Sequence, residues 1–508
     1  MKKHRKFLRS ALLALLSLAL VFSCAAPCSF AEAPAAEENA DAEAFMAELA
    51  ALDGICDVSM DENGLITAYI VQPLDWAGGT DATFLQKLRI AYTGADLPVC
   101  YCCGGYSINT SISDRMLFPE GYAYNAVRIE YRFFGDSMPE GLSADSAELW
   151  EYLTVENAAE DIHAVITRLG TLLTGKRVMT GVSKGGFTTN FQAYRHPEDA
   201  ELFLPFCAPL CASESDGAMF DFLNNRVGDD VLGEETAAEV RGILLDFQLE
   251  CIRYKDDLKT RYRDLAVSET EHGETDYRPI LMEDGGARFY DLAVADLLPN
   301  VWTAQGHAID CGSVDGIRSV FGGIVSMPCG TAEEIAAKED AIFDALTARC
   351  DPFTYSSCLD NMIFIYTMQS AMQMGNYYPD LTPLRQRIAE EQEKDPSFPA
   401  LTVTEEEEKT MLTAFYLTEE QRELAAQFSF VHDELVEWEQ TTEANVLMVF
   451  GGVDAWYGVA IPECGNPNVR RVVVKTGESS STMGHVYSVA TFDEASRELI
   501  YDALEALR

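Results

Sequence analysis

The sequence predicts an α/β protein whose mostly parallel sheet is interrupted by a large helical insertion. Short apolar runs alternate with helix-like segments between residues 65 and 210, the order typical of a parallel sheet. Residues 212–440 are dominated by charge-rich helical segments, and strand-like runs return at 444–458 and 469–478. One sheet split by an insertion explains this order more simply than two consecutive domains.

The chain of 508 residues is too long for one ordinary compact core, so we expect a large domain with a substantial insertion. The predicted parts are a signal peptide (1–31), a first core segment (32–211), a helical lid insertion (212–440) and a second core segment (441–508).

The first 31 residues have the pattern of a secretory signal peptide. A basic start is followed by the apolar run "ALLALLSLALVF" and by small residues that end at Ala31. The apolar run is too short to span a membrane comfortably, since a spanning helix needs roughly 20 residues. We expect cleavage after Ala31 and secretion. The alternative is a cell-surface lipoprotein anchored through Cys24, which the bulky Phe22 in "VFSC" disfavours.

The charge balance is strongly acidic, with 37 Lys and Arg against 82 Asp and Glu. Removal of residues 1–31 takes away five basic residues and no acidic ones, so the mature charge is 32 − 82 = −50. This charge argues against a nucleic-acid partner because phosphate would be repelled. No later run reaches 18 uninterrupted apolar residues, so no integral membrane segment is expected.

The cysteines permit disulfides in an exported protein but do not reveal a pairing. Twelve of the 14 cysteines follow Ala31, and several are expected to be buried free thiols. No group of cysteines and histidines has the spacing of zinc ligands. We therefore expect no metal and no organic cofactor.

The stretch "RVMTGVSKGGFTTNFQAYRHP" places Ser183 in a G-x-S-x-G motif between a strand-like and a helix-like segment. A nucleophile elbow needs this context, with glycines where side chains would clash with the strained turn. The motif alone is weak, and a small residue in a tight turn remains the alternative for Ser183. Two further residues in the correct order decide between these interpretations.

An acid and a histidine follow in the order that such a fold requires. Asp454 comes directly after the apolar run "VLMVFGG", and His485 lies in a Gly/Ser-rich loop after the next strand. His485 would take the proton from Ser183, and Asp454 would fix the tautomer of the imidazole. The alternative for both residues is ordinary loop polarity.

An oxyanion hole needs two backbone N–H groups. One belongs to the residue after the nucleophile, Lys184. The other is expected in the loop "CCGGYS", near Gly105 and Tyr106, because glycine lets the backbone approach a ligand closely. A simple glycine turn is the alternative for this loop.

Seven segments occur together in one order: "QPLDW", "TFLQKLRI", the Gly-Gly-Tyr loop, "EYRFFGDSMP", "YLTVENAAEDIHAV", "TGVSKGG" and "LPFCAPL". They resemble the secreted S37 family of serine peptidases, the prolyl tri/tetrapeptidyl aminopeptidase group, which is distantly similar to the S28 family. The resemblance implies an α/β-hydrolase core with a helical lid. It also implies Ser183 as nucleophile, Asp454 as acid and His485 as base.

The chain departs from this family pattern near the expected site. Trp76 and Tyr131 stand where histidine is common in the family, and Cys103-Gly104 replaces Thr-Glu. Glu130 and Arg132, on the same segment as Tyr131, are expected to form an ion pair with each other near the site, and binding of a substrate amine is the alternative.

Ser183, Asp454 and His485 predict a serine hydrolase, and the resemblance implies a secreted serine exopeptidase that acts on oligopeptides. The resemblance implies removal of tri- or tetrapeptides, also after proline, from free N-termini. The alternative is an esterase or lipase of the same fold, although the charged insertion is unlike the apolar flap of a lipase. A binding protein on a retired hydrolase fold is disfavoured because Ser183, Asp454 and His485 are all present.

Overall fold

The computed structural model describes residues 36–108, 117–303, 313–475, 484–485 and 488–508, with side chains from residue 41 onward. The predicted signal peptide and Cys24 lie outside the described residues.

A nine-stranded sheet forms the centre of the protein, in the order β1-β2-β3-β5-β4-β6-β7-β8-β9. Strands β1, β2 and β3 pair antiparallel, β3 also pairs antiparallel with β5, and every later pairing is parallel. The strands are β1 Ile55–Met60, β2 Ile66–Pro73, β3 Thr83–Ala91, β4 Val99–Cys103, β5 Asn125–Ile129, β6 Arg177–Val182, β7 Leu202–Phe206, β8 Val446–Gly451 and β9 Val469–Val474.

The central strands are apolar along their whole length because helices cover both faces of a parallel sheet. Every residue of β4, β7 and β8 is buried. The helices of this part of the chain are α1 Ala36–Ala50, α2 Ala147–Trp150, α3 Val155–Leu169, α4 Lys184–Arg195 and, at the C-terminal end, α20 Glu494–Glu505. Helix α3 begins at a local signal, since the Thr154 side chain accepts a hydrogen bond from the Asn157 N–H.

This strand order is that of an α/β hydrolase with one additional N-terminal strand. Without β1, the sheet contains one antiparallel strand, β3. Next to β3, strands β5 and β4 stand in reversed order, and the turn that carries Ser183 follows β6. The predicted α/β-hydrolase core is thus confirmed.

The described residues between β7 and β8 form helices and turns rather than further strands of the sheet. Their α-helices are α5 Ala218–Asn225, α6 Asp229–Leu232, α7 Glu234–Arg253, α8 Lys255–Glu269, α9 Pro279–Met282, α10 Ala287–Thr303, α11 Val314–Ile317, α12 Gly323–Val325, α13 Ala332–Thr347, α14 Met362–Gln369, α15 Thr382–Lys394, α16 Glu405–Glu408, α17 Met411–Tyr416, α18 Glu419–Ala425 and α19 His432–Glu439. The division of the chain at residues 211 and 440 stays a prediction.

Two element boundaries differ from the expectations. Helix α1 begins at Ala36 instead of near Phe45. The strand expected over 126–135 ends at Ile129, because Phe133 and Gly135 have φ angles of 69° and 52° that a strand does not tolerate.

Seven of the eleven cysteines in the described part of the chain are buried. Within the same residues, we find no helix that combines the length and the apolar character needed to cross a membrane.

Candidate active site

Ser183 occupies a strained turn between β6 and α4. Its φ and ψ angles are 59° and −123°, outside the regions that residues with a side chain normally adopt. The backbone N–H of Ser183 donates to the carbonyl oxygen of Phe206 at the end of β7, at 2.9 Å. Ser183 is partly exposed, whereas Val182 and Lys184 on either side are buried. The turn therefore presents the serine hydroxyl at the C-terminal edge of the sheet.

The glycines around Ser183 are required by close backbone contacts. A Cβ at Gly181 or Gly185 would overlap the carbonyl oxygen of Cys103, and one at Gly186 would overlap that of Phe206. The strands on either side of β6 thus press against the turn, which explains the G-x-S-x-G-G pattern in physical terms.

Asp454 and His485 come together at the same edge of the sheet. The Nδ1 atom of His485 lies 2.9 Å from Oδ2 of Asp454, which is fully buried. The Oδ1 atom of Asp454 accepts a hydrogen bond from the Trp456 N–H at 3.2 Å, in a 3-10 turn over Ala455–Val459. The backbone N–H of His485 donates to the carbonyl of Thr303 at the end of α10. Both partners are therefore oriented by the backbone around them.

Cys207 lies beside this pair and directly follows Phe206, which accepts the Ser183 N–H. It follows β7, has a φ angle of 48°, and donates its N–H to the Val449 carbonyl at 2.7 Å. Its sulfur lies within 4.8 Å of the ligand atoms of Asp454 and His485. Sequence spacing gave no indication of this neighbour, because it comes from a third strand end.

The Gly-Gly-Tyr loop packs directly on the serine turn. Gly105 has a φ angle of +73°, and a Cβ there would lie 2.7 Å from the backbone nitrogen of Gly185. Burial raises the pKa of the Cys103 thiol to about 11, and the nearby Gly105 N–H acts in the opposite direction with a smaller effect. Burial also raises the pKa of the Tyr106 phenol, and the Ser183 side chain lies close enough to lower it by a smaller amount.

The Lys184 side chain has a role that the sequence did not predict. It is fully buried, and its Nζ donates to the Gly105 carbonyl oxygen at 2.7 Å. The same nitrogen lies 3.0 Å from the centre of the Tyr131 ring. Burial lowers the pKa of Lys184 well below its usual range. The residue thus ties the Gly-Gly-Tyr loop to the turn that carries Ser183.

The ion pair expected between Glu130 and Arg132 is wrong. Arg132 pairs instead with the buried Asp161, with distances of 2.7 and 2.9 Å from its Nε and Nη2 atoms. Glu130 accepts from the Ser137 side chain and from the Ile108 N–H. Residues two apart on an extended segment share a face, but here each finds a partner on a different element.

A second histidine–aspartate pair lies away from the serine turn. The Nδ1 atom of His163 is 2.8 Å from Oδ1 of Asp199, and the His163 ring stacks on His196 with centroids 4.0 Å apart. This pair has the geometry of the Asp454–His485 pair but stands beside no strained serine.

Comparison with curated proteins finds a relative named prolyl tri/tetrapeptidyl aminopeptidase, from Streptomyces mobaraensis. It is 26% identical over 250 residues, which are 49% of this chain and 47% of the relative. The match thus spans about half the length of each protein.

Among solved structures, proline iminopeptidase from Mycobacterium smegmatis has 14% identity and a TM-score of 0.33, covering 86% of this chain and 98% of that one. A peroxisomal alpha-beta-hydrolase from Saccharomyces cerevisiae has 9% identity and a TM-score of 0.34, covering 87% and 88%. Likeness at this level carries no functional argument.

The model of the family described as PS-10 peptidase S37 matches residues 28–315. This range is more than half of the chain, and the chain therefore belongs to the peptidase S37 family.

Proposed function

We propose that this protein is a secreted serine peptidase that removes tri- or tetrapeptides, also after proline, from the free N-termini of oligopeptides. Membership of the peptidase S37 family supports a peptidase. The name of the relative from Streptomyces mobaraensis supports the finer activity, over about half of each chain.

The observation that carries this proposal is the Asp454–His485 contact of 2.9 Å at the sheet edge where the strained Ser183 lies. A serine hydroxyl is a weak nucleophile unless a base takes its proton. Ser183, His485 and Asp454 are the nucleophile, base and acid of a triad. The carboxylate holds the imidazole in the tautomer whose second nitrogen can accept the serine proton.

In the first step, the Ser183 oxygen attacks the scissile carbonyl carbon while its proton passes to His485. The C–O bond forms, and the carbonyl oxygen becomes an oxyanion. His485 then gives the proton to the leaving nitrogen, the C–N bond breaks, and the C-terminal part of the peptide leaves. The N-terminal part remains as an ester on Ser183.

The oxyanion is held by the backbone N–H groups of Lys184 and Tyr106. The Lys184 N–H lies in the first turn of α4, where the helix dipole also favours negative charge. Because a trans peptide is planar, the Tyr106 N–H points opposite to the Gly105 carbonyl that Lys184 binds. The Lys184 side chain thereby positions the second donor.

In the second step, water replaces the departed amine. His485 takes a proton from the water, whose oxygen attacks the ester, and the same proton returns to the Ser183 oxygen as the short peptide leaves. No step calls for a metal or an organic cofactor.

Mass spectrometry of one proline-containing peptide tests this proposal. The peptide is offered with a free and with an acetylated N-terminus, and the Ser183→Ala protein is the control. We expect shortening of the free peptide alone, by a fixed three or four residues, and none by the variant. Cleavage of neither peptide, together with Ser183-dependent hydrolysis of a simple ester, would establish the esterase alternative instead.

A further inference from the structure

Two buried aspartates on helix α10 have very different surroundings. Asp291 is fully buried and pairs with Lys255, whose Nζ lies 2.6 Å from Oδ1. Asp296 is 5% exposed, the Tyr377 hydroxyl donates to its Oδ1 at 3.2 Å, and the Tyr355 hydroxyl lies close to the carboxyl group. No cation among the described residues acts on Asp296, and burial raises its pKa to about 7. The protein thus holds a buried carboxyl group that lacks the counter-charge of its neighbour.

Asp296 lies on the element that reaches the proposed catalytic histidine. The Thr303 carbonyl at the end of α10 accepts the His485 N–H at 3.2 Å. Seven residues separate Thr303 from Asp296, or roughly 10 Å along a helix. Tyr377, whose hydroxyl donates to Asp296, also packs its ring against Trp456, with ring centroids 5.7 Å apart. Trp456 belongs to the turn that orients Asp454.

A series of tyrosines connects Ser183 to Asp296. Tyr106 lies close to the Ser183 side chain, and its ring centroid is 6.4 Å from that of Tyr366. Burial has the largest effect on the pKa of the Tyr377 phenol and raises it, and the nearby Asp296 and Tyr366 are among the groups that raise it further.

The backbone next to Asp296 offers a second acceptor. Pro299 lies inside α10 and has no N–H to donate to the Ala295 carbonyl four residues earlier. An ammonium group has three N–H donors, and a carboxylate, a carbonyl and tyrosine rings together match its needs.

We propose that Asp296 binds the free α-ammonium group of the peptide substrate, with Tyr377 and Tyr355 at its sides. The proposal rests on the proposed exopeptidase function and assigns to this chain the residue that selects for a free N-terminus. The ammonium supplies the counter-charge that Asp296 lacks, whereas an acetylated N-terminus carries no charge and is larger. The distance from Asp296 to Ser183 then sets how many residues are removed.

The test compares kcat/KM for one peptide with a free and with an acetylated N-terminus, in the wild-type protein and in Asp296→Asn. We expect the wild type to prefer the free peptide by at least about 100-fold, and the variant to reduce that preference to a few-fold, mainly through KM. An unchanged preference in the variant would overturn the role of Asp296 and leave the exopeptidase proposal standing. Failure of the wild type to cleave either peptide would refute the proposed function, and this inference with it.

A binding measurement separates recognition from catalysis. In a Ser183→Ala background, calorimetry would give the Kd of the free and acetylated peptides with and without Asp296→Asn. We expect the substitution to raise the Kd of the free peptide by about 100-fold and that of the acetylated peptide by less than threefold. Equal weakening of both would indicate a merely structural role and contradict the proposal. Asp296→Glu retains the charge, and we expect it to restore part of the preference for the free peptide.

Discussion

The edge of the sheet and the helical insertion hold their buried polar groups in different ways. At the sheet edge, backbone groups orient the side chains: the Trp456 N–H holds Asp454, and the Phe206 carbonyl holds the Ser183 turn. In the insertion, buried charges find partners far along the chain, as in the contact of 2.7 Å between Lys338 and Glu250. Hydrogen bonds with the backbone thus position the proposed chemistry, whereas side-chain partners hold the buried charges of the insertion.

This difference predicts that substitutions at the sheet edge lower the rate of reaction, whereas those in the insertion alter stability and substrate choice. Asp296 stands apart in the insertion because its described partners are tyrosines and not a cation. A group that is costly to bury and lacks an internal counter-charge is suited to a charged ligand.

The largest effect is expected for Ser183→Ala, which removes the proposed nucleophile. We expect kcat/KM to fall by about 10⁵-fold or more, because the remaining N–H donors provide only residual catalysis. Steady-state kinetics on the peptide measures this. The matched control is Ser59→Ala, which makes the same change at an exposed position of the edge strand β1. More than 1% residual activity in Ser183→Ala would contradict the triad.

Asp454→Asn is expected to lower kcat by about 10⁴-fold, because the amide favours the wrong tautomer of His485. The control is Asp199→Asn, which makes the same change in the His163 pair of nearly equal geometry. We expect the control to retain wild-type kcat. Equal losses in both variants would mean that Asp454 acts on stability rather than on catalysis.

The two aspartates of α10 should have opposite effects on stability. Asp291→Asn leaves the buried Lys255 without its partner, and we expect a loss of about 3 kcal/mol or more in the free energy of unfolding. Asp296→Asn removes a carboxyl whose pKa is raised to about 7 in the folded protein. Its unfolded pKa is near 4, so folding binds a proton between these values and wild-type stability falls as pH rises from about 4 to about 7.

Asp296→Asn cannot lose this proton, so its stability relative to wild type should increase over the same pH range. Above pH 7, the gain in the free energy of unfolding has an upper limit of ~4 kcal/mol, because the folded and unfolded pKa values of Asp296 differ by about three units. Thermal unfolding of both proteins at pH 5 and pH 8 measures it. A stability difference between the two proteins that is the same at both pH values would contradict a raised pKa of Asp296 in the folded protein.

The smallest effect is expected for Lys184→Met, which keeps the side-chain volume but removes the donor to the Gly105 carbonyl. We expect kcat to fall by about 10- to 100-fold through misplacement of the Tyr106 N–H, with little change in KM. The control is Lys176→Met, because Lys176 also donates to a backbone carbonyl, that of Ala506, but on the exposed surface. An equal effect in both variants would remove the positioning role from Lys184.

The mostly parallel sheet and the positions of its strands along the chain were largely predictable because buried parallel strands must be apolar along their length. The glycines of the Ser183 turn were also predictable, because each of them meets backbone atoms that leave no space for a side chain. The strand over 126–135 was predicted too long because the positive φ angles at Phe133 and Gly135 have no clear signal in composition. The roles of Ser183, Asp454 and His485 stay predictions.

By itself the sequence determined the backbone framework and the residue types at the ends of its strands, because apolar periodicity and glycine positions act locally. Only the tertiary structure decided which side chains meet across long separations. Lys184 with Gly105, Arg132 with Asp161, and Asp296 with Tyr377 are separated by 79, 29 and 81 residues. Such pairs depend on how elements pack, and the cost of leaving a buried charge unpaired then selects the partner.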